Sequence, residues 1–194
     1  MRMQNHVIIR PDPPHTELMG LDLDIYFEPE KYVSTTGEIL FTCEKISGQE
    51  WDVDVEVKKG DRVYFRYIHQ LGQENHILIL GEKVLCVPYT SLICTTDLKP
   101  LNGFTLVKHL ESDRNFKVGK DENYGVVIAD GICKRSYQHY TFKDKPIPFG
   151  EVLFQNARPI NHYMFAKEPI SYVHKKDILW TKLTSDQEKG LLNS

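Results

Sequence analysis

The chain has 194 residues, of which 41% are hydrophobic and 26% are charged, with a formal net charge of −3. This balance is typical of a globular protein, and the length suits one large domain or two small ones. Because the net charge is slightly negative and no long run of Lys or Arg occurs, nucleic acid is not expected as a partner.

The sequence has no feature of a membrane or secreted protein. No stretch approaches the roughly 20 apolar residues of a membrane-spanning helix, and the first residues, MRMQNHVIIRPDPP, contain no apolar run of signal-peptide length. The four cysteines, Cys43, Cys86, Cys94 and Cys133, form no CxxC pair and are interpreted as small buried side chains. We therefore expect a cytoplasmic protein without a membrane partner.

Short β-type segments follow one another along the chain. In order they are HVIIR, GEILFTC, WDVDVEV, DRVYFRYI, HILIL, EKVLCVPY, FTLVKHL, YGVVIAD, GEVLFQ and ISYVH. Gly, Pro, Asp and Asn separate them, and no long segment carries a helical apolar stripe. In WDVDVEV, Val53, Val55 and Val57 alternate with acidic residues, which predicts a strand with one face in water. The sequence therefore predicts an all-β protein built from small barrels or sandwiches.

The second half of the chain repeats the order of the first. Residues 82–94, EKVLCVPYTSLIC, align without a gap with residues 168–180, EPISYVHKKDILW, and their apolar positions coincide. VKKGDRVYF matches IPFGEVLF at Gly60 and Gly150, GEIL matches GVVI, and VIIRP matches TLVKH. Landmarks in the same order indicate two units, joined by TTDLKPLNG at residues 95–103.

The order of these segments resembles that of the GroES (chaperonin-10) co-chaperonin family. Its members carry a V-K-x-G-D-x-V-x-F element similar to VKKGDRVYF and end in a strand and turn similar to GEKVLCVPYTSLI. The likeness covers residues 6–94 well and residues 104–182 more loosely. It implies two tandem GroES-like irregular β-barrels, one over residues 1–97 and one over residues 98–183, followed by a polar tail at 184–194.

The two halves differ in the loop after their first strand. From Ile8 to Gly37 the first half advances 29 positions, whereas from Leu106 to Gly125 the second advances 19. In the co-chaperonin family this loop is mobile, and an aliphatic tripeptide after a glycine docks on the apical domain of the chaperonin. The matching long loop covers residues 16–33, TELMGLDLDIYFEPEKYV.

In this loop Gly20 is followed by Leu21, Leu23 and Ile25, which alternate with acids, whereas the aliphatic residues of the family are consecutive. An extended segment places the three side chains on one face, where they can enter a groove while the acids stay in water. The resemblance thus implies that Gly20, Leu21, Leu23 and Ile25 bind the chaperonin. The same alternation also describes an ordinary edge strand packed on its own barrel, and the sequence leaves both interpretations open.

Patterns of catalysis and of cofactor binding are missing from the sequence. The eight histidines show no HxH or HExxH spacing, and GxSxG, GxGxxG and GxxxxGK[ST] are absent. The segment DLDIYFEPE from Asp22 lacks the turn glycine of a calcium loop, because Phe27 occupies that position. We therefore expect no enzymatic activity, no metal and no cofactor.

Two hypotheses about function remain. In the first, the protein is a co-chaperonin that caps an ATP-driven, GroEL-type chaperonin ring. The resemblance then implies a homo-oligomer, closed by pairing the first strand of one domain with the last strand of its neighbour. In the second, it is a structural or assembly protein that keeps the barrel fold but no longer binds a chaperonin.

Overall fold

A computed structural model describes residues 4–13, 34–48, 51–52, 54–110, 123–131, 135–136, 146–147, 150–160 and 170–182. Its strands are β1 (His6–Pro11), β2 (Thr36–Phe41), β3 (Trp51–Asp52), β4 (Arg62–Phe65), β5 (His76–Ile79), β6 (Glu82–Pro88), β7 (Leu92–Thr95), β8 (Phe104–His109), β9 (Asn123–Asp130), β10 (Arg135–Ser136), β11 (Glu151–Phe154), β12 (Arg158–Pro159), β13 (Ile170–His174) and β14 (Ile178–Lys182). The helical elements of these residues are α1 (Ile68–Leu71) and 3-10 turns at Gln73–Asn75, Tyr89–Ser91 and Lys175–Asp177. The protein is therefore mostly β, as its sequence predicts.

The strands form two six-stranded antiparallel sheets. The first sheet has the order β5-β6-β1-β2-β4-β7, and the second has the order β12-β13-β8-β9-β11-β14. When the strands of each sheet are numbered along the chain, the two orders are identical. The two remaining strands, β3 and β10, pair with each other and link the halves of the chain.

The pairing register of the two sheets also repeats. Ile9 of β1 lies opposite Ile39 of β2 beside a register shift, and Val107 of β8 lies opposite Val127 of β9 beside an equivalent shift. A second register shift recurs between β4 and β7 and between β11 and β14. Because such irregularities bend and twist a strand at a defined point, both sheets follow the same backbone design.

Gly37 in β2 and Gly125 in β9 occupy equivalent positions, where a neighbouring strand approaches closely. A Cβ atom on Gly37 would lie 2.5 Å from the backbone oxygen of Arg10, and one on Gly125 would lie 2.4 Å from that of Lys108. Side-chain carbons do not tolerate such contacts with backbone. This explains why both GEIL and GVVI begin with glycine.

Each sheet packs on an apolar core of its own, and a third cluster lies between them. The first core contains Val7, Ile9, Ile39, Cys43, Val57, Val63, Phe65, Leu85, Val87, Tyr89, Leu92 and Leu101. The second contains Val107, Val127, Ile147, Val152, Phe154, Val173 and Ile178. The cluster between the sheets contains Ile93, Cys94, Phe104, Leu106, Ile160 and Tyr172. The halves are thus joined by buried apolar surface as well as by the β3–β10 pair.

The connector between β7 and β8 packs closely on the first sheet. The amide of Asn102 donates hydrogen bonds to the backbone oxygens of Tyr89, at 3.0 Å, and Leu92, at 2.9 Å. Leu101 is fully buried in the first core. The connector is therefore held by specific contacts, while the division of the chain into two barrels near residue 97 stays a prediction.

One expected strand is much shorter than the sequence predicts. Of the described residues of WDVDVEV, Trp51–Asp52 forms a strand and residues 54–57 lie outside any strand. Val57 is nevertheless buried, and Val55 packs on the first core while Asp54 is exposed. The alternation correctly indicates that Val55 and Val57 face the core, but a strand also needs a partner, and among the described residues β3 pairs with the two residues of β10.

Candidate functional site

The predicted chaperonin-binding residues Gly20, Leu21, Leu23 and Ile25 lie outside the described residues, as does the rest of loop 16–33. The structure describes the chain on both sides of this loop. It therefore defines where the loop begins and ends, on β1 and β2 of the first sheet.

Hydrogen bonds and an ion pair hold the two ends of this loop side by side. The backbone nitrogen of Asp12 donates to the backbone oxygen of Thr36 at 2.9 Å. The Asp12 carboxylate accepts hydrogen bonds from the Thr36 hydroxyl and the Arg62 guanidinium. The buried hydroxyl of Ser34 donates to the Thr36 oxygen at 3.0 Å. The chain therefore leaves and rejoins the sheet at one closed base.

The corresponding base in the second sheet has the same backbone contact but different side chains. The nitrogen of Leu110 donates to the oxygen of Tyr124 at 3.0 Å, as the nitrogen of Asp12 does to Thr36. Leu110 takes the place of Asp12, and the Tyr124 hydroxyl donates a hydrogen bond to the Glu151 carboxylate. The two bases thus share a backbone hydrogen bond but place different side chains beside it.

A cavity of about 590 Å³ lies between the two sheets and forms a second candidate site. Phe65 and Ile93 line it from the first sheet, and Ile160 and Tyr172 line it from the second. These four side chains are almost fully buried and make the walls largely apolar. Thr35, which directly precedes β2, also lines the cavity, so the cavity adjoins the base of the long loop.

The charged side chains among the described residues that line the cavity are basic. Arg66 and Arg158 line it, together with His69. The His69 ring forms a hydrogen bond with the Ser91 hydroxyl at 2.6 Å. Burial, and next the nearby Arg66 charge, lowers the pKa of His69, so this imidazole is neutral at pH 7. The positive charge at the cavity therefore comes from the two arginines.

The described residues offer little chemistry of other kinds. They contain no group of three His, Cys, Asp or Glu side chains placed to hold a metal ion. Burial raises the pKa of the Cys94 thiol to about 12, so it stays protonated and unreactive at neutral pH. Within the same residues, no helix has the length and apolar character needed to cross a membrane.

No protein-family model matches the chain, and no curated protein matches it. The function must therefore be argued from the geometry of the loop base, the sheets and the cavity.

Sequence reasoning did not find the cavity. Arg66 and Arg158 are isolated arginines in DRVYFRYI and NARPI, far apart in the chain, and neither belongs to a motif. Only the packing of the first sheet against the second brings them to one site. The repeat itself was the available signal, because it indicates that two sheets exist and must share a boundary.

Proposed function

We propose that the protein is a tandem co-chaperonin, with each half a GroES-like irregular barrel, that caps or modulates a GroEL-type chaperonin ring. The observation that carries this proposal is the repeated sheet, whose two copies share strand order and pairing register but differ in the length of the connection after their first strand. Ile9 and Ile39 occupy the same relative positions as Val107 and Val127, yet ten more residues separate the first pair. A repeated scaffold with one long loop is the arrangement that the co-chaperonin resemblance implies.

The closed base of the long loop supports a docking role. Asp12, Thr36 and Arg62 fix the two points from which residues 14–33 extend. A fixed base limits the volume that the loop tip can sample, and this lowers the entropy lost when the tip binds. In this proposal the tip presents Leu21, Leu23 and Ile25 to a groove on the apical domain, and the protein has no catalytic activity of its own.

The energetics of such a loop favour an assembly with several loops. Each aliphatic side chain buried in a groove contributes about 1.5–3 kcal/mol. Ordering the loop backbone costs about 1–2 kcal/mol for every residue fixed. A single loop therefore binds weakly, whereas several loops on one oligomer bind strongly, because every contact after the first is intramolecular.

The contact between the two sheets suggests how the oligomer is built. Ile93 comes from β7 at one edge of the first sheet, whereas Phe104 and Tyr172 come from β8 and β13 of the second. The two halves thus contribute different surfaces, and a contact of this type can repeat from chain to chain. Leu179 in β14 stands at the position of Ile93, and it is 39% exposed whereas Ile93 is 2% exposed.

We therefore propose that the β14 edge of one chain packs against the β5–β6 side of another. Sedimentation velocity at micromolar concentration tests this contact, and we expect an oligomer that Leu179→Asp converts toward monomer. Leu78→Asp, at the exposed leucine of β5 on the other side of the proposed contact, should have the same effect. Leu110→Asp, at a similarly exposed leucine outside β5, β6 and β14, is the control for added charge. A monomeric wild-type protein would contradict the assembly.

The apical-domain contact is tested by capture of the protein on a GroEL-type ring in the presence and absence of adenine nucleotide. We expect nucleotide-dependent capture of the wild type and loss of capture when Leu21, Leu23 and Ile25 are all replaced by Ser. The matched control is Phe116→Ser with Val118→Ser, in the shorter loop of the second half, which should have little effect. A triple variant that stays folded and is captured normally would place the contact elsewhere.

The second candidate function is a structural or assembly role without a chaperonin. The exposed Leu179 at the β14 edge favours it, because contact between copies requires no other partner. The two candidates are distinguished by one pair of results. A stable oligomer that a chaperonin ring never captures, with or without nucleotide, supports the assembly role.

A further inference from the structure

The cavity between the two sheets has the size and lining of a small-molecule site. Its volume of about 590 Å³ lies within the roughly 300–1,000 Å³ typical of ligand pockets. Apolar walls come from both halves of the chain, and the site exists only where the two sheets meet. It is separate from the loop and edge contacts of the proposed function, and nothing in that function uses it.

The charged side chains among the described residues of the cavity wall are all positive. Two arginines, Arg66 and Arg158, line it, and no Asp or Glu is among the described residues that line it. The carboxylates that form ion pairs within the described part of the chain are bound by Arg10, Arg62 and Lys175 instead. Two arginines in one pocket, with no acidic partner among the described residues, form an arrangement suited to an anion.

Arg66 is held in place without using its full hydrogen-bonding capacity. Its guanidinium carbon lies 5.9 Å from the ring centroids of both Phe104 and Tyr172, which gives it two cation–π contacts. Its Nε atom is buried and has no hydrogen-bond acceptor among the described residues. A buried charged donor without an acceptor is costly, and an anionic ligand in the cavity would supply the acceptor.

Arg158 completes the site from the second sheet. It lies directly opposite Tyr172 in the β12–β13 pair, so the two side chains project from the same face. Arg158 is exposed whereas Tyr172 is buried. Arg66 is therefore partly buried against two aromatic rings, whereas Arg158 lies on the solvent side of the cavity.

We propose that this cavity binds a small organic anion, with a carboxylate or phosphate group bound by Arg66 and Arg158. The apolar part of the ligand, such as a ring, packs against Phe65, Ile93 and Tyr172. Because the walls come from both sheets, a bound ligand stabilises their contact and so links occupancy to the packing of the two halves.

Isothermal titration of the whole protein with phenyl phosphate and with benzoate tests the proposal. We expect saturable binding of one molecule per chain by at least one of the two. Inorganic phosphate, which lacks the ring, and benzyl alcohol, which lacks the charge, should each bind at least about tenfold more weakly. Phenyl phosphate or benzoate should also raise the midpoint of thermal unfolding as its concentration rises.

Two variants locate the binding site. Arg66→Gln and Arg158→Gln should each weaken binding at least about tenfold, because each removes a charged hydrogen-bond donor. The control is Lys83→Gln, which removes one exposed positive charge outside the cavity and should leave binding unchanged. Arg158 is exposed, so its replacement tests the site even if Arg66→Gln disturbs the fold.

Several results would overturn the proposal. The site is not an anion site if neither phenyl phosphate nor benzoate binds at concentrations up to about 10 mM, or if benzyl alcohol binds as tightly as they do. Equal binding of inorganic phosphate and phenyl phosphate would remove the role of the apolar walls. Unchanged binding by a folded Arg158→Gln variant would mean that Arg158 does not bind the ligand. An equal loss of binding in Arg158→Gln and Lys83→Gln would show nonspecific attraction.

Discussion

The two sheets place different chemistry at one equivalent core position. In the first, Tyr89 begins a 3-10 turn and is fully buried, and its hydroxyl accepts a hydrogen bond from the Glu56 nitrogen at 2.6 Å. In the second, Lys175 begins the equivalent turn, and its Nζ atom lies 3.0 Å from the Asp130 carboxylate. The comparison shows that glycines and strand irregularities maintain the common backbone, while an aromatic ring or an ion pair can fill the same place.

Replacing Lys175 by Met should have the largest effect on the stability of the fold. Lys175 and Asp130 have side chains that are 3% and 8% exposed, so the change leaves a buried carboxylate without its counter-charge. Loss of one partner of a buried ion pair costs about 3–5 kcal/mol. Urea unfolding should therefore show a fall of that size in the free energy of unfolding.

The matched change in the first sheet is Tyr89→Phe, which removes the hydroxyl that accepts the hydrogen bond of the partly buried Glu56 nitrogen. This costs about 1–3 kcal/mol, less than Lys175→Met.

Converting the second sheet to the pattern of the first, by Lys175→Tyr together with Asp130→Thr, should recover much of the stability that Lys175→Met loses. A Lys175→Met variant less than about 1 kcal/mol below wild type would mean that other groups compensate Asp130.

Gly37 and Gly125 test whether the close approach of the neighbouring strand is equally important to the stability of both sheets. Alanine at either position places a Cβ atom about as close to the backbone of the neighbouring strand, at 2.5 Å and 2.4 Å. We expect Gly37→Ala and Gly125→Ala each to lower the free energy of unfolding by about 1–3 kcal/mol through overpacking. Urea unfolding of the two variants gives the comparison, and a large cost at only one glycine would break the equivalence.

The sequence predicted much of the fold because its landmarks are local. The β-rich character follows from short apolar segments, and the ungapped alignment of residues 82–94 with 168–180 matches the paired strands, since Val87 and Val173 hold equivalent partners. The alignment of Gly60 with Gly150 was one position out. The backbone nitrogen of Ile39 donates a hydrogen bond to the oxygen of Asp61, and the nitrogen of Val127 donates one to the oxygen of Gly150. Strand pairing therefore makes Gly150 equivalent to Asp61 and not to Gly60.

The candidate sites were less predictable because they depend on contacts distant in sequence. The Asp12–Arg62 pair at the loop base joins β1 to β4, and no spacing rule connects these residues. Arg66 and Arg158 meet only because the β7 side of one sheet packs on the β12–β13 side of the other. Apolar periodicity indicates which face of a strand is buried, but it contains no information about how two sheets are placed against each other.

Glu56 provides the finest test of the difference between the two cores. Its carboxylate accepts a hydrogen bond from the Asn102 nitrogen at 2.8 Å. Burial is the largest influence and raises the pKa of Glu56, while the Asn102 bond and the charge of Lys99 partly oppose it. In the second sheet, by contrast, Lys175 lies within ion-pair distance of Asp130. Glu56 should therefore give the first half a pH dependence of its own.

A carboxyl group whose pKa is higher in the folded state holds its proton more tightly there than in the unfolded chain. Its contribution to stability is therefore fully present below the unfolded pKa and is lost as the pH rises through the folded value. Glu56→Gln keeps an acceptor for the Asn102 nitrogen but cannot ionise, so it removes this loss. The wild type should thus lose stability relative to the variant as the pH rises above the pKa of about 4.3 of an unfolded Glu, as measured by urea unfolding at each pH. A difference that does not change with pH, or that grows in favour of the wild type as the pH rises, would mean that the Asn102 bond and Lys99 outweigh burial, and the two cores would then hold their carboxylates in the same way.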